Sequence, residues 1–374
     1  MTRHYLDHAS TSPLRPAARD ALTAALGLGA DPGRIHEEAL AARHAVEVAR
    51  QQVADLLGAR SREVVFTSGA TESIAMACHG AARRDAEGQK TRSVLAAVEH
   101  TAVRHCPDRE GPVTVVGVDR AGRIDPDELV AAVGDDTAIV HLQWGNHEVG
   151  TCHDLAPVVD ACRERDVLVH VDAAQAVGRV PVDFGALGCD LLSVSAHKFG
   201  GPPGVGALLV RRGLRLDPLL LGGDQERARR AGLENVPAAV GFGAACQTLG
   251  DGVLADEEDD SRRLTGRLAE GLATLDGVER YGDPDRRLPH LVCVGITDIE
   301  PQAVLLGLDR VGVAAHSGSA CASEGLEPSP VLEAMGVDAH RSLRLSVGWN
   351  TTDADVDAAL GALPGILAGL RALR

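Results

Sequence analysis

The chain has 374 residues, of which 45% are hydrophobic and 24% are charged, an ordinary globular composition with room for two domains. Its net charge of −16 disfavours direct binding of nucleic acid, because phosphate contacts need a basic surface. No stretch reaches the roughly 18 consecutive apolar residues that a membrane helix needs. The first residues form no apolar signal region either, so we expect a cytoplasmic protein without membrane contact.

Short apolar runs alternate with helical patterns over the first two thirds of the chain. Helical periodicity covers residues 35–57, 72–86 and 155–164. This alternation predicts an α/β fold with a mostly parallel sheet flanked by helices, in which ligands bind beyond the carboxyl ends of the strands. The runs that we interpret as strands are EVVFTS, SVLAAVEH, PVTVVGV, TAIVHLQW, DVLVHVDAA, DLLSVSAHK and VGALLVR.

The pattern changes near residue 251, where the acidic run ADEEDDSRR opens another helix. From there to residue 374 the order is helix, strands, helix, strand, helix, which indicates a smaller α+β domain. We therefore predict a large domain over residues 14–250. The small domain would consist of residues 1–13 and 251–374.

Cysteine and lysine are used in ways that bear on chemistry. The eight cysteines are scattered without a CxxC pair, so a zinc site is poorly supported and we expect no bound metal. Only two of the 37 lysines and arginines are lysines. Lys90 lies in the polar stretch AEGQKTR, which is typical of a surface loop, whereas Lys198 directly follows an apolar run. A guanidinium cannot form a Schiff base and a lysine amine can, so Lys198 is a candidate for covalent cofactor binding.

Two further motifs lie at the ends of predicted strands. The segment 67–72, TSGATE, closes a strand and opens a helix, where free N–H groups favour a phosphate; an ordinary helix cap is the alternative. Asp172 ends the strand in HVDAAQ, and a buried carboxylate needs a partner. A cationic pyridinium nitrogen would suit it, as would a metal or a helix cap. Because Asp172 and Lys198 end different strands, both can face one pocket.

The C-terminal third contributes a cysteine and an arginine. Cys321 lies in HSGSACASEG, a run of small residues that indicates an exposed, mobile loop, although most free cysteines are buried fillers. Arg344 lies in the strand-like SLRLSVG, where a buried cation needs an anion. That anion could be a substrate carboxylate or the partner in a structural ion pair.

Taken in order, these motifs resemble those of the cysteine desulfurases, the class V branch of the aminotransferase-like enzymes that use pyridoxal phosphate. The resemblance covers nearly the whole chain. It is carried by YLDHASTSP, FTSGATES, EH, NHEVGT, HVDAAQAVG, SAHK, SGSACASEGLEPS and RLSVG.

The resemblance implies a role for each matching residue. Lys198 would hold pyridoxal phosphate as a Schiff base, Cys321 would be the nucleophile, and His100 would stack on the ring and move protons. The remaining implied contacts are Asp172 with the ring nitrogen, Gln175 and His147 with the ring hydroxyl, Ala70, Thr71, Ser195 and His197 with the phosphate, and Arg344 with the substrate carboxylate.

The implied activity converts L-cysteine to L-alanine and leaves a persulfide on Cys321. The sulfur would pass to an acceptor protein, either a thiolation enzyme or an iron–sulfur scaffold, and the family implies a homodimer. Three departures stand out: the family usually has Asn in place of His147, often has Thr in place of Leu233, and favours Asn-Pro where this chain has Asp31-Pro32. The alternatives are a related lyase acting on selenocysteine or another cysteine derivative, and a non-catalytic homologue that binds partners.

Overall fold

The computed structural model describes residues 2–84, 88–318 and 328–373. Cys321 lies outside the described residues. The helices are α1 (Pro16–Ala25), α2 (Glu37–Leu56), α3 (Ala70–Ala82), α4 (Thr101–His105), α5 (Pro126–Ala131), α6 (Ala156–Glu164), α7 (Phe184–Leu187), α8 (Gln225–Ala228), α9 (Val236–Thr248), α10 (Val253–Ala273), α11 (Pro301–Arg310), α12 (Pro330–Ala334) and α13 (Asp353–Ala372). The strands are β1 (His4–Tyr5), β2 (Val64–Thr67), β3 (Arg92–Ala96), β4 (Val113–Val116), β5 (Thr137–Gln143), β6 (Leu168–Asp172), β7 (Leu191–Ser195), β8 (Gly206–Val210), β9 (Val278–Tyr281), β10 (Leu291–Ile296), β11 (Val313–Ala314) and β12 (Ser342–Ser346).

A seven-stranded sheet in the order β2-β8-β7-β6-β5-β3-β4 forms the centre of the fold. Strands β3 to β7 pair in parallel, and β8 runs antiparallel to both β7 and β2. Each of the seven apolar runs overlaps one of these strands, so the predicted α/β class with a mostly parallel sheet is confirmed. The runs are continuous rather than alternating because β5, β6 and β7 are buried on both faces.

The helices cover this sheet and begin close to their predicted positions. Helix α2 lies within the predicted range 35–57 and α6 within 155–164. Helix α3 begins two residues before its predicted start and ends four residues before its predicted end, at Ala82. The main apolar core lies between these layers and includes Phe199 and Phe242, whose rings are 6.0 Å apart.

The C-terminal part packs a three-stranded antiparallel sheet, β12-β10-β9, against α10, α11 and α13. The N-terminal strand β1 pairs in parallel with β11, which lies more than 300 residues later in the sequence. The first residues thus join the C-terminal part, although the domain boundaries remain a prediction. Across the described ranges, no helix combines the length and apolar character needed to cross a membrane.

Candidate active site

A cavity of about 340 Å³ opens at the carboxyl ends of the central parallel strands. It brings together all of the residues that the sequence predicted as cofactor contacts. Its walls are formed by Ser68, Gly69, Ala70, Thr71, Ile74, His100, Gln143, Gly145, His147, Asp172, Ala174, Gln175, Ser195, His197, Lys198, Pro203 and Gly204.

Lys198 lies on a single 3₁₀ turn, Ala196–Phe199, directly after β7. Its Nζ donates to the carbonyl oxygens of Ala9 at 2.8 Å and Ser10 at 3.0 Å. Burial, aided by the nearby Arg344 cation, lowers the pKa of the amine to about 8. A substantial fraction of Lys198 is therefore uncharged near neutral pH, the form that attacks a carbonyl group.

Asp172 ends β6 at the other side of the cavity. Its Oδ1 accepts hydrogen bonds from the Ala174 backbone N–H at 3.0 Å and from Ser193 Oγ at 3.4 Å. Burial raises the pKa of this carboxyl, and the two hydrogen bonds oppose that shift. The sequence left a helix cap open, but the Ala174 contact caps a turn, and no ion pair reaches Asp172 within the described residues. The carboxylate therefore has room for a cationic ligand group.

The third wall of the cavity is the N-terminal end of α3. The cap residue is Gly69, which has no side chain to accept from the first N–H groups of the helix. A Cβ on Gly206 would lie only 2.7 Å from the Gly69 Cα, so β8 packs directly against this turn. The free N–H groups of Ala70 and Thr71 thus face the cavity at the positive end of the helix, an arrangement suited to a phosphate.

Ser195 and His197 lie opposite that helix end. The Ser195 hydroxyl would be 3.6 Å from a Cβ on Gly69, so it lies beside the turn. His197 Nδ1 forms a hydrogen bond with Thr11 Oγ1 at 3.1 Å, and burial lowers the pKa of the ring to about 4. The other ring nitrogen remains available to a ligand in the cavity.

Two histidines meet edge to face in the cavity, with the His100 and His147 ring centroids 5.1 Å apart at an angle of 69°. His100 Nδ1 accepts from the Ala102 N–H and caps α4, so Nε2 carries the ring hydrogen when the ring is neutral. Burial, with the charges of His147 and Lys198, lowers the pKa of His100 to about 3. His100 is therefore neutral over the physiological pH range. His147 Nε2 lies 3.5 Å from Glu148 Oε1.

Gln175 is held at both ends of its amide. Its Nε2 donates to the Ala9 carbonyl at 2.8 Å, and its Oε1 contacts His290 Nε2 at 3.1 Å. One N–H of the amide is left over, which is the group that could reach a ring hydroxyl.

Arg344 lies in β12 beside the cavity rather than in its wall. The guanidinium donates to the His147 carbonyl at 2.7 Å, to Asp7 Oδ1 at 3.0 Å and to Ser10 Oγ at 2.7 Å. A structural ion pair was one of the two possibilities that the sequence left for Arg344, and Arg344 forms such a pair with Asp7. Arg344 Nε is nevertheless buried and has no hydrogen-bond partner in the described part of the chain, which leaves the guanidinium one unused donor there.

The N-terminal segment is the part of the site that the motif analysis did not assign. Asp7 pairs with Arg344, and the Ala9 and Ser10 carbonyls hold the Lys198 amine. The motif YLDHASTSP carries part of the resemblance, but no residue in it was given a role in the site.

Glu99 was also missed, although it ends an apolar strand run as Asp172 does. Its Oε1 accepts from the Gln143 N–H at 2.8 Å, and its Oε2 is buried and has no partner within residues 2–84, 88–318 and 328–373. Burial, with the Asp172 charge nearby, raises the pKa of Glu99 to about 8. Glu99 is thus a largely neutral acid at neutral pH.

The raised pKa of Glu99 predicts a pH-dependent stability of the cofactor-free protein. The folded state keeps a proton that the unfolded state loses between about pH 4.5 and 8, so the free energy of unfolding falls as the pH rises through this window. Between pH 5 and 8, the free energy of unfolding of Glu99→Gln should fall by about 2–4 kcal/mol less than that of the wild type, as measured by urea unfolding. The exposed Glu128→Gln is the control, and equal slopes for both variants would contradict the prediction.

Comparison with known proteins finds relatives that match nearly the whole chain. Residues 4–359 match the family model described as Aminotransferase class-V. Cysteine desulfurase IscS of Methanosarcina thermophila is 41% identical over 98% of this chain and 92% of its own length. The IscS-like cysteine desulfurase of Mycobacterium tuberculosis is 44% identical over 98% of this chain and 97% of its own length.

Solved structures agree with these matches. A NifS-like protein superposes with a TM-score of 0.91 at 31% identity and covers 99% of this chain and all of its own. SspA in complex with cysteine has a TM-score of 0.81 at 28% identity over 93% of this chain and all of its own. The similarity in sequence and the similarity in fold to these proteins thus cover the same part of the chain.

Proposed function

Since the chain belongs to the class V aminotransferase family and is a cysteine desulfurase that uses pyridoxal phosphate, we propose that it forms its persulfide on Cys321 and delivers the sulfur to an acceptor protein. Its reaction converts L-cysteine to L-alanine. One observation carries the site assignment: the Lys198 amine, whose pKa is about 8, shares a cavity with the buried carboxylate of Asp172. That carboxylate forms no ion pair with any described residue.

The donors and acceptors around the cavity fit pyridoxal phosphate. Lys198 would hold its carbonyl carbon, Asp172 its ring nitrogen, and Gln175 with His147 its ring hydroxyl. When bound, the cofactor supplies an electron-withdrawing ring that stabilises negative charge on the amino acid's α-carbon. The phosphate would be held by Ala70, Thr71, Ser195 and His197.

The remaining groups would act on the amino acid. Arg344 would bind its carboxylate, using the Nε hydrogen that has no partner among the described residues. Lys198, released from its covalent link, would remove the α-proton, because its low pKa leaves the amine free to accept one. His100 is neutral and carries a hydrogen on Nε2, so it can donate to a reacting group without adding charge.

Sulfur transfer requires a second thiol beside the substrate. The Cys321 thiolate would attack the substrate sulfur and form an S–S bond, while the C–S bond breaks and its electron pair stays with carbon. That carbon then takes up a proton to become the methyl group of alanine. The two products are alanine and a persulfide, and no external oxidant or reductant is needed.

The described neighbours of Cys321 support this role. A Cβ on Gly318 would lie 3.6 Å from the Arg344 Cβ, so the chain passes beside the proposed carboxylate site three residues before Cys321. The described chain thus comes beside the proposed carboxylate site at a position close in sequence to Cys321.

The proposal is tested by incubating the holoenzyme with L-cysteine and a reductant while measuring both products. We expect alanine and sulfide in equal amounts, and without reductant one extra sulfur atom in the peptide containing Cys321. Selenocysteine and S-methylcysteine serve as comparison substrates. Faster turnover of either would favour the related lyase, and an unmodified Cys321 peptide would overturn the persulfide step.

Arg344→Lys is expected to raise KM for cysteine by roughly 10–100-fold and to change kcat less, because an ammonium keeps the charge but loses the planar fork. The matched control is Arg341→Lys, next to β12, where the side chain pairs with Asp298 on the surface. Equal KM values for both variants would show that Arg344 serves only its ion pair with Asp7.

The proposal includes a homodimer in the cytoplasm, and exposed leucines support the dimer. Leu221 and Leu233 are 81% and 62% exposed, and the backbone N–H of Ala231 donates to the Leu220 carbonyl, so these leucines lie on adjoining loops. Exposed apolar side chains in one region are typical of an interface. The acceptor would be a thiolation enzyme or an iron–sulfur scaffold.

A further inference from the structure

A continuous row of buried polar side chains runs from α3 across the central sheet to Asp172. Cys78 lies on α3, His141 on β5, His170 on β6 and Ser193 on β7. The neighbouring strands place the last three side by side. His141 is the register partner of His170, and Ser193 is the register partner of Asp172. These four side chains, which we call the histidine row, are at most 2% exposed.

Each member of the histidine row contacts the next. Cys78 Sγ lies 3.6 Å from His141 Nε2, and the two Nδ1 atoms of His141 and His170 are 3.0 Å apart. His170 Nε2 lies 3.1 Å from Ser193 Oγ, which donates to Asp172 Oδ1 at 3.4 Å. The row is therefore connected from end to end.

The hydrogen positions follow from the last contact. An ionised Asp172 only accepts, so the Ser193 hydroxyl donates to it and must itself accept from His170 Nε2. A neutral His170 then has a bare Nδ1, which accepts from His141 Nδ1.

The first two members of the row complete this pattern. The bare Nε2 of a neutral His141 faces the Cys78 thiol, which donates to it. Burial keeps the rings neutral, since it lowers the pKa of His141 to about 3 and that of His170 well below its ordinary value. It also raises the pKa of the Cys78 thiol, which keeps its proton. Every hydrogen in the row thus points toward Asp172.

We propose that the histidine row is a positioning network that keeps Asp172 ionised and oriented toward the ring nitrogen of pyridoxal phosphate. It rests on the proposed function only in assuming that Asp172 binds the ring nitrogen of pyridoxal phosphate. Aligned hydrogen bonds polarise one another, and a donor to a buried carboxylate offsets part of the cost of burying its charge.

Other groups also act on the Asp172 charge. His147 and Lys198 favour the ionised carboxylate, whereas the nearby Glu99 disfavours it when it is itself ionised. The histidine row approaches Asp172 from within the sheet, from positions that the ligand in the cavity does not occupy. Its effect can therefore be changed without altering the cavity wall.

The first test is cofactor affinity, measured by titrating the cofactor-free protein with pyridoxal phosphate in the absence of cysteine. Ser193→Ala is expected to weaken the affinity about tenfold, the effect of losing one hydrogen bond to a charged group. In an Asp172→Asn background, which has no carboxylate to stabilise, the same substitution is expected to change the affinity less than twofold. A merely structural role would give the same loss in both backgrounds and would overturn the proposal. Ser261→Ala, a buried serine in α10, is the control and should leave the affinity unchanged.

The second test is spectroscopic and reaches further along the histidine row. His141→Leu is expected to raise the pH midpoint of the holoenzyme's visible absorption band. A less firmly ionised Asp172 leaves less positive charge on the ring, so the nitrogen bound to Lys198 holds its proton to higher pH. Cys78→Ala should move the midpoint in the same direction by a smaller amount, and the buried Cys246→Ala should not move it. Unchanged midpoints in both His141→Leu and Cys78→Ala would overturn the proposal.

These results are independent of the sulfur chemistry. If the histidine-row variants bind the cofactor like the wild type while sulfide production continues, the network fails and the desulfurase mechanism stands. If Cys321 carries no persulfide but Ser193→Ala weakens cofactor binding only when Asp172 is present, the persulfide mechanism fails and the network stands.

Discussion

Lys198→Ala is expected to remove the visible absorption of the covalently bound cofactor and to lower desulfurase turnover by roughly 10³-fold or more. The substitution removes both the group that would hold the cofactor and the proposed base for the α-proton. The phosphate and ring nitrogen contacts lie on other residues, so the variant should still bind pyridoxal phosphate non-covalently and lose it on gel filtration. Difference spectra before and after filtration measure this loss.

The chain offers an unusually clean control, because Lys90 is its other lysine. Lys90 Nζ donates to the Asp166 carbonyl on the surface, away from the cavity. Reduction of the holoenzyme with borohydride followed by peptide mapping should place the cofactor on Lys198 alone, and Lys90→Arg should behave as the wild type. Label on Lys90, or an unchanged spectrum in Lys198→Ala, would contradict the assignment.

Cys321→Ala is expected to lower the production of alanine and sulfide from cysteine by roughly 10³-fold, since it removes the thiol proposed to accept the substrate sulfur. Cofactor binding and the spectral change on adding cysteine should persist, because neither requires the thiol. The measurement is product formation under single turnover together with the absorption spectrum.

Cys106→Ala provides the matched control for Cys321. Cys106 is only half-buried, and burial raises the pKa of its thiol, which makes it a poor nucleophile at neutral pH. We expect full activity in this variant. Undiminished sulfide output in Cys321→Ala would show that sulfur leaves the substrate without a protein persulfide.

The central sheet could be predicted because its strands are buried on both faces, which produces apolar runs such as TAIVHLQW and DVLVHVDAA that end abruptly in polar residues. The start of α3 was misplaced by two residues because Gly69 caps it without a side chain. A cap of this kind leaves no Ser, Thr, Asp or Asn at the cap position to mark the boundary.

The site was predictable where parallel strands end and unpredictable where distant segments meet. Asp172 and Lys198 follow neighbouring strands, so the topology alone brings them to one edge. The pairing of Asp7 with Arg344 joins residues separated by 337 positions and leaves no local pattern. The histidine row needs the strand register, because neither His141 nor His170 has a neighbour in the sequence that indicates a shared network.

The pairing of the first strand with the last part of the fold has a consequence for biosynthesis. The ribosome makes Asp7 and Ser10 first, yet their partner Arg344 emerges only after almost the whole chain has been translated. The large sheet with Asp172 and Lys198 is complete well before that point, whereas the group proposed to hold the amino acid's carboxylate is not. On the proposed assignment, a nascent chain would form its cofactor pocket before it could bind substrate, which would separate cofactor loading from the release of reactive sulfur.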